Sequence, residues 1–175
     1  MKKLVLVTTF SALLFSTNIA NAQDEDKSKR PSPPAKVTQI ITGGTVVSVD
    51  YSQPSLKGRT MGKDVEPMKN QVWRAGANEA TIFEVSKKVT VEGKALPAGK
   101  YGLYMLSGDT DWTVIFNKTS TNWGADGYKE TDDALRVKVK PGKSATTHEK
   151  LTYTISKEGK VSLLWGTLDI SFMVK

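Results

Sequence analysis

The sequence of 175 residues contains no cysteine and a single histidine, His148. Because thiols are absent, the chain has no disulfide, no thiolate nucleophile and no thiolate metal site. One imidazole is too little for a conventional zinc or copper site, and it gives no support to a Ser-His-Asp triad. We therefore expect a protein without a bound metal and without a cofactor.

The sequence also lacks an apolar run long enough to cross a membrane as a helix, which takes about 20 residues. The apolar run near the N-terminus has 12 residues, Leu4 to Phe15, with two lysines before it and the triplet Ala20-Asn21-Ala22 after it. This pattern is typical of a cleaved signal peptide, and an uncleaved anchor is the alternative. We predict a signal peptide over residues 1–22. The mature protein should have no membrane span and should be exported to the periplasm or the extracellular space.

Residues 23–35 (QDEDKSKRPSPPA) contain too few apolar side chains to contribute to a core. Charged residues and prolines dominate this segment, so its composition predicts a flexible leader. Residues 36–175 have a length suited to a single domain, which buries enough surface to fold without disulfides.

The formal net charge is +7, but the positive side chains are spread along the chain. The densest group is Arg136, Lys138 and Lys140, which alternate with apolar residues and so lie on the solvent face of one predicted strand. No basic platform with interleaved aromatic residues is present, and we expect no nucleic-acid partner.

Apolar and polar residues alternate with a period of two along most of the domain. The predicted strands cover residues 36–41, 45–51, 81–85, 88–91, 100–106, 112–117, 135–140, 151–155, 161–165 and 168–174. Antiparallel strands with one apolar face must bury that face against another sheet. The pattern therefore predicts an all-β fold, an antiparallel β-sandwich (jelly-roll or immunoglobulin-like) of about ten strands, with a closed barrel as the alternative.

Two long stretches, residues 52–80 and 118–133, do not follow the alternation. Loops of this length in compact domains are usually functional or disordered. Trp73 and Trp123 argue against disorder, because a tryptophan side chain is costly to leave in water. We expect both loops to pack over one end of the sandwich and to hide these two tryptophans.

The first loop contains the stretch VWRAGANEA (residues 72–80), which combines an aromatic ring, a cation, an amide and a carboxylate. Small residues between them allow backbone N–H groups to approach a ligand. Such side chains in a cleft suit a glycan or an anionic small molecule, or a protein partner. The predicted ligand-binding residues of the two loops and the adjoining strand end are Arg59, Trp73, Arg74, Asn78, Glu79, Asn117 and Trp123.

The same residues also have a purely structural interpretation. Trp73 is then a plug that fixes the loop, and Arg74 and Glu79 pair with each other or with Asp50. A catalytic interpretation takes Glu66 and Glu79 as a glycosidase carboxylate pair, which requires a defined separation of the two groups.

Five blocks of sequence, in this order, resemble the bacterial exported proteins grouped as domain-of-unknown-function family 2911. The blocks are YSQPSLKGR (51–59), VWRAGANEAT (72–81), LPAGKYGLY (96–104), WTVIFNK (112–118) and LRVKVKP (135–141). The resemblance covers nearly all of residues 31–175, and it implies a family but no activity and no site residues.

Our leading hypothesis from the sequence is a non-catalytic module that binds a ligand or partner through its two long loops. The rival hypothesis is a hydrolase on glycans or esters, with Glu79 as acid/base and with Arg59 and Arg74 holding an anionic group.

Export is directly testable. We expect protein recovered from outside the cytoplasm to have the intact mass of a chain that begins at Gln23. Recovery of functional material that still begins at Met1 would contradict the predicted cleavage.

Overall fold

A computed structural model describes residues 26–175, so the predicted signal peptide and the first three leader residues lie outside the described part. Among the described residues, no helix is long and apolar enough to cross a membrane. Single 3-10 turns occur at Lys27–Lys29 and Glu130–Asp132. The strands in chain order are β1 (Pro34–Ile41), β2 (Thr45–Ser52), β3 (Val72–Trp73), β4 (Thr81–Val85), β5 (Val89–Val91), β6 (Lys94–Leu96), β7 (Gly99–Ser107), β8 (Trp112–Asn117), β9 (Asp133–Val139), β10 (Gly142–Ile155) and β11 (Lys160–Met173).

One layer is a large antiparallel sheet with the strand order β1-β2-β4-β7-β8-β9, to which β3 adds by pairing with β7. Alternate side chains of its strands point inward. In β4, for example, Thr81, Phe83 and Val85 are buried, and the residues between them are half-buried. The apolar alternation in the sequence therefore becomes one apolar face of the sheet.

The second layer consists of two hairpins, β10-β11 and β5-β6. Backbone hydrogen bonds join them, because Thr90 exchanges N–H···O bonds of 2.6 and 2.9 Å with Lys175, just after the end of β11. Val91 also forms an isolated antiparallel bridge with Val174.

Aromatic side chains from both layers form the interior. The Phe172 ring of β11 packs edge-to-face against Phe83 and Phe116 of the large sheet, with ring centroids 6.0 and 5.6 Å apart. Tyr51 and Tyr153 make a similar contact between β2 and β10 at 4.8 Å. The predicted all-β antiparallel sandwich of about ten strands is confirmed, and it is not closed into a barrel.

The last two strands are longer than predicted. Residues 161–165 and 168–173, predicted in separate strands, belong to the single strand β11, and Val174 follows its end. Gly166 within this strand has a φ of +56°, a left-handed conformation that favours glycine. A Cβ at this position would lie 2.8 Å from Cε of Met61, so the first long loop rests on the second layer at Gly166.

The first long loop is tied to both layers. Its residues Pro54 and Leu56 exchange backbone hydrogen bonds of 2.9 Å with Leu151 and Glu149 of β10. Further along, Val72 and Trp73 form β3, so part of the stretch that the sequence analysis left irregular belongs to the large sheet.

The interior should be sensitive to loss of Phe172, which is 1% exposed. We expect Phe172→Ala to lower the free energy of unfolding by about 3–5 kcal/mol, because it leaves a cavity between the two layers. Urea denaturation followed by circular dichroism measures this change. As the control, Trp123→Ala should change the free energy of unfolding by no more than about 0.5 kcal/mol, since this ring is 59% exposed. Equal effects of both changes would contradict the packing.

Candidate functional site

Trp73 is the anchor of the stretch VWRAGANEA. The side chain is 1% exposed and stacks on Trp165 of β11, with ring centroids 6.0 Å apart and ring planes inclined by 16°. Its indole N–H donates to the Gly76 carbonyl at 3.0 Å. The Ala75 carbonyl accepts from the Tyr153 hydroxyl at 2.8 Å, so the turn after Trp73 is fixed to the second layer. Trp73 therefore has the structural role of a plug and has little surface for a ligand.

Arg74 and Arg59 line one cleft of about 200 Å³ between the first long loop and the sandwich. Glu66 and Trp165 line the same cleft, together with small and apolar residues such as Ala77. The Arg59 guanidinium is positioned by the loop itself, since it donates to the carbonyls of Ser55 at 2.7 Å and Leu56 at 3.0 Å.

Two residues that line the cleft have buried donor atoms without hydrogen-bond partners. Among residues 26–175, Nε of Arg74 and Nε1 of Trp165 are buried and have no hydrogen-bond partner. Within the same residues, neither Arg59 nor Arg74 has a carboxylate within 4.0 Å. Buried N–H groups are normally satisfied, so two such donors in residues that line one cleft require an explanation.

Arg74 also connects the two long loops. A Cβ on Gly124 of the second loop would lie 2.5 Å from Nη1 of Arg74, so the guanidinium in its present position lies against Gly124, whose φ of +63° itself favours glycine. Nearby, Glu79 and Trp123 form an isolated antiparallel bridge, and the Ala80 N–H donates to the Asn122 carbonyl at 3.0 Å. The two long loops therefore contact each other at Arg74, Glu79 and Ala80 of the first loop and at Asn122, Trp123 and Gly124 of the second.

Glu79 takes part in a different arrangement. Its carboxylate pairs with Arg30 and Lys27 of the leader, each at 3.0 Å, and not with Arg74. Burial opposes ionisation, but hydrogen bonds from its own backbone, Lys27 and Arg30 outweigh it and lower the pKa of Glu79 from 4.5 to about 2. Glu79 lines a second depression beside Lys27 and Asp50, apart from the cleft of the two arginines.

These positions correct the expected partners of the loop charges. Asp50 pairs with Lys36 at 2.9 Å and is not a partner of Arg74 or Glu79. Because Glu66 and Glu79 line separate depressions, they do not face each other across one cleft as a glycosidase carboxylate pair would.

Of the remaining predicted site residues, Asn78 and Asn117 make structural hydrogen bonds and Trp123 lies on the surface. Asn78 donates to the Ser32 carbonyl at 2.9 Å and holds the end of the leader. Asn117 is fully buried, where its amide donates to the Lys129 carbonyl at 2.9 Å and to the Asp133 carboxylate at 2.8 Å. Trp123 is 59% exposed, so the expectation that the loops hide this ring is wrong. Backbone pairing with Glu79 holds the second loop at Trp123, and the Trp123 indole remains exposed to solvent.

The positions of Trp165 and of the leader could not be predicted from the sequence. Trp165 lies in an alternating apolar segment, where it is indistinguishable from an ordinary core residue. Lys27 and Arg30 lie in a segment whose composition gives no sign of a distant partner, although Arg30 pairs with a residue 49 positions away. The feature of the sequence that indicates the cleft is the pair of arginines in a long loop rich in small residues.

A family model described as "Protein of unknown function (DUF2911)" matches residues 32–174. The chain belongs to the DUF2911 family. The match begins at Ser32, so it includes every residue that lines the arginine cleft. Neither the curated proteins nor the solved structures gave a significant match to this DUF2911 chain.

The Glu79 ion pairs should make the free energy of unfolding depend on pH. The lowered pKa means that this carboxylate contributes stability above about pH 4.5, and that the contribution is lost as the pH falls through about 2. We expect Glu79→Gln to reduce the free energy of unfolding by about 0.2–1 kcal/mol near pH 7, because the pair is partly exposed. The difference from the wild type should shrink as the pH approaches 2. Denaturant unfolding across this range measures it, and a difference that does not change with pH would contradict the assignment.

Proposed function

We propose that the protein is a non-catalytic binding module that takes a small anionic ligand in the cleft of Arg59 and Arg74. The observation that carries this proposal is that Arg59 and Arg74 line one cleft and have no carboxylate within 4.0 Å among the described residues. A carboxylate or phosphate is the acceptor that suits two guanidinium groups.

The energetics favour a ligand over a purely structural role. A guanidinium binds oxyanions through two parallel hydrogen bonds, which gives both affinity and geometry. Arg59 and Arg74 have no carboxylate within 4.0 Å among the described residues, so their charge is available to an anion.

The walls of the cleft are already in place. Trp165 is held by its stack on Trp73, and Arg59 is held by two carbonyls of its own loop. A site that needs little rearrangement loses less free energy to ordering when the ligand binds. The volume of about 200 Å³ is below the range of about 300–1,000 Å³ for drug-sized ligands, which favours a small molecule over a long glycan.

The rival hydrolase has weaker support. A general acid or base works best with a pKa near the operating pH, whereas the pKa of Glu79 is about 2 and two leader cations neutralise its charge. Among residues 26–175, Glu66 is the one carboxylate that lines the arginine cleft, and the two-carboxylate mechanism needs a second.

We propose that binding takes place outside the cytoplasm. The support is the sequence pattern of residues 1–22, whose lysines, apolar run and small-x-small triplet are typical of a cleaved signal peptide.

Arg74→Ala tests the proposal. We expect isothermal titration of the mature chain with inorganic phosphate, cyclohexanecarboxylate and D-glucuronate to show saturable binding of at least one anion. Arg74→Ala should weaken that binding by about tenfold or more, since a charged hydrogen bond is lost. The melting temperature should stay within a few degrees of the wild type, because Nε of Arg74 has no partner among the described residues to lose.

The control is Lys100→Ala, which removes one positive charge from an exposed residue paired with Glu84, away from the cleft. This variant should bind as the wild type does. Failure of all three anions to bind the wild type would contradict the proposal. A loss of about 2 kcal/mol or more of stability in Arg74→Ala, without a change in binding, would assign Arg74 a structural role.

A further inference from the structure

We infer that the ligand is a hydroxy carboxylate, whose carboxylate is held by Arg59 and Arg74 and whose hydroxyl donates to Glu66. This inference rests on the proposed function of the same cleft. Among residues 26–175, the charged side chains that line the cleft are these two cations and one anion, so the ligand meets both signs of charge.

Glu66 is held in place without using up its carboxylate. Its Oε2 accepts the backbone N–H of Met68 at 2.8 Å, a partly buried hydrogen bond within the loop. No ion pair of Glu66 occurs among residues 26–175, so neither Arg59 nor Arg74 lies within 4.0 Å of it. A carboxylate that shares a cleft with two cations but remains unpaired has an acceptor oxygen available for a donor group of the ligand.

The net charge of the cleft favours one kind of ligand group as the donor to Glu66. Arg59 and Arg74 exceed Glu66 by one positive charge, which a ligand with one negative charge neutralises. A zwitterion such as an amino acid has an ammonium for Glu66 but leaves that surplus charge in place. A hydroxyl donates to a carboxylate without adding charge, so a hydroxy carboxylate satisfies both requirements.

The size of the cleft sets an upper bound on the ligand. A volume of about 200 Å³ favours one sugar-sized ring or a shorter acid. D-glucuronate, which has a carboxylate and several hydroxyls on a single ring, is therefore a suitable probe of the class. Cyclohexanecarboxylate has the same ring size and the same charge but no hydroxyl, and D-glucose has hydroxyls but no charge.

Glu66→Gln tests the inference. In this variant the side-chain carbonyl still accepts the Met68 N–H, so the loop keeps its hydrogen bond while the negative charge is removed. We expect wild-type mature protein to bind D-glucuronate about tenfold more tightly than cyclohexanecarboxylate, and D-glucose more weakly than either. Glu66→Gln should weaken D-glucuronate binding and strengthen cyclohexanecarboxylate binding, because the hydroxyl loses a charged acceptor and the anion loses a repelling neighbour.

The outcomes separate this inference from the proposed function. Equal affinity for the two acids in the wild type, or a change in the same direction for both in Glu66→Gln, overturns the hydroxy carboxylate and leaves anion binding intact. Tighter binding of a zwitterion such as β-alanine than of D-glucuronate also overturns it. No binding of either acid or of phosphate overturns the proposed function and this inference together. A matched Glu84→Gln variant, changed outside the cleft, should leave all affinities unchanged.

Discussion

The stack of Trp73 on Trp165 is the contact on which the candidate site depends. Trp73 belongs to the short strand β3 of the large sheet, and Trp165 belongs to β11 of the second layer, so the two rings join the layers where the cleft opens. Arg74 follows Trp73 directly in the chain, and Gly166 follows Trp165. The backbone that bears Arg74 and the backbone of Gly166, on which the first loop rests, therefore both adjoin this aromatic contact.

The Nε atom of Arg74 is buried without a partner, which is costly for folding. By contrast, the neighbouring carbonyls of Ala75 and Gly76 accept side-chain donors. Among the described residues, Nε1 of Trp165 and Nη1 of Arg136 are also buried without a hydrogen-bond partner. Arg74 and Trp165 line the same cleft, whereas Arg136 does not, so two of these three atoms belong to residues of the candidate site.

Much of the fold could be predicted from the sequence, because alternation reports directly which side chains face the core. Val161, Leu163 and Trp165 are all buried as their spacing indicates. The alternation of apolar and polar residues does not show whether a buried indole N–H has a hydrogen-bond partner. Trp165 therefore could not be predicted as a site residue. Arg59 and Arg74 were visible because a cation among small residues is unusual in a long loop. The two arginines lie apart from Glu79 because Glu79 pairs with Lys27 and Arg30 of the leader. This long-range pairing cannot be predicted from composition.

The leader is held on the sandwich by exposed ion pairs in one part and by hydrogen bonds in another. Lys27 and Arg30 contact the sandwich through ion pairs to Glu79, whose side chain is 38% exposed, and such pairs contribute little to stability. The following residues are held by hydrogen bonds, with the carbonyl of Ser32 accepting from Asn78 and that of Pro33 accepting from Gln53. Ser32 is also the leader residue that lines the cleft. The hydrogen bonds of Ser32 and Pro33 do not involve Glu79, so we expect this wall of the cleft to remain in place when the Glu79 ion pairs are lost.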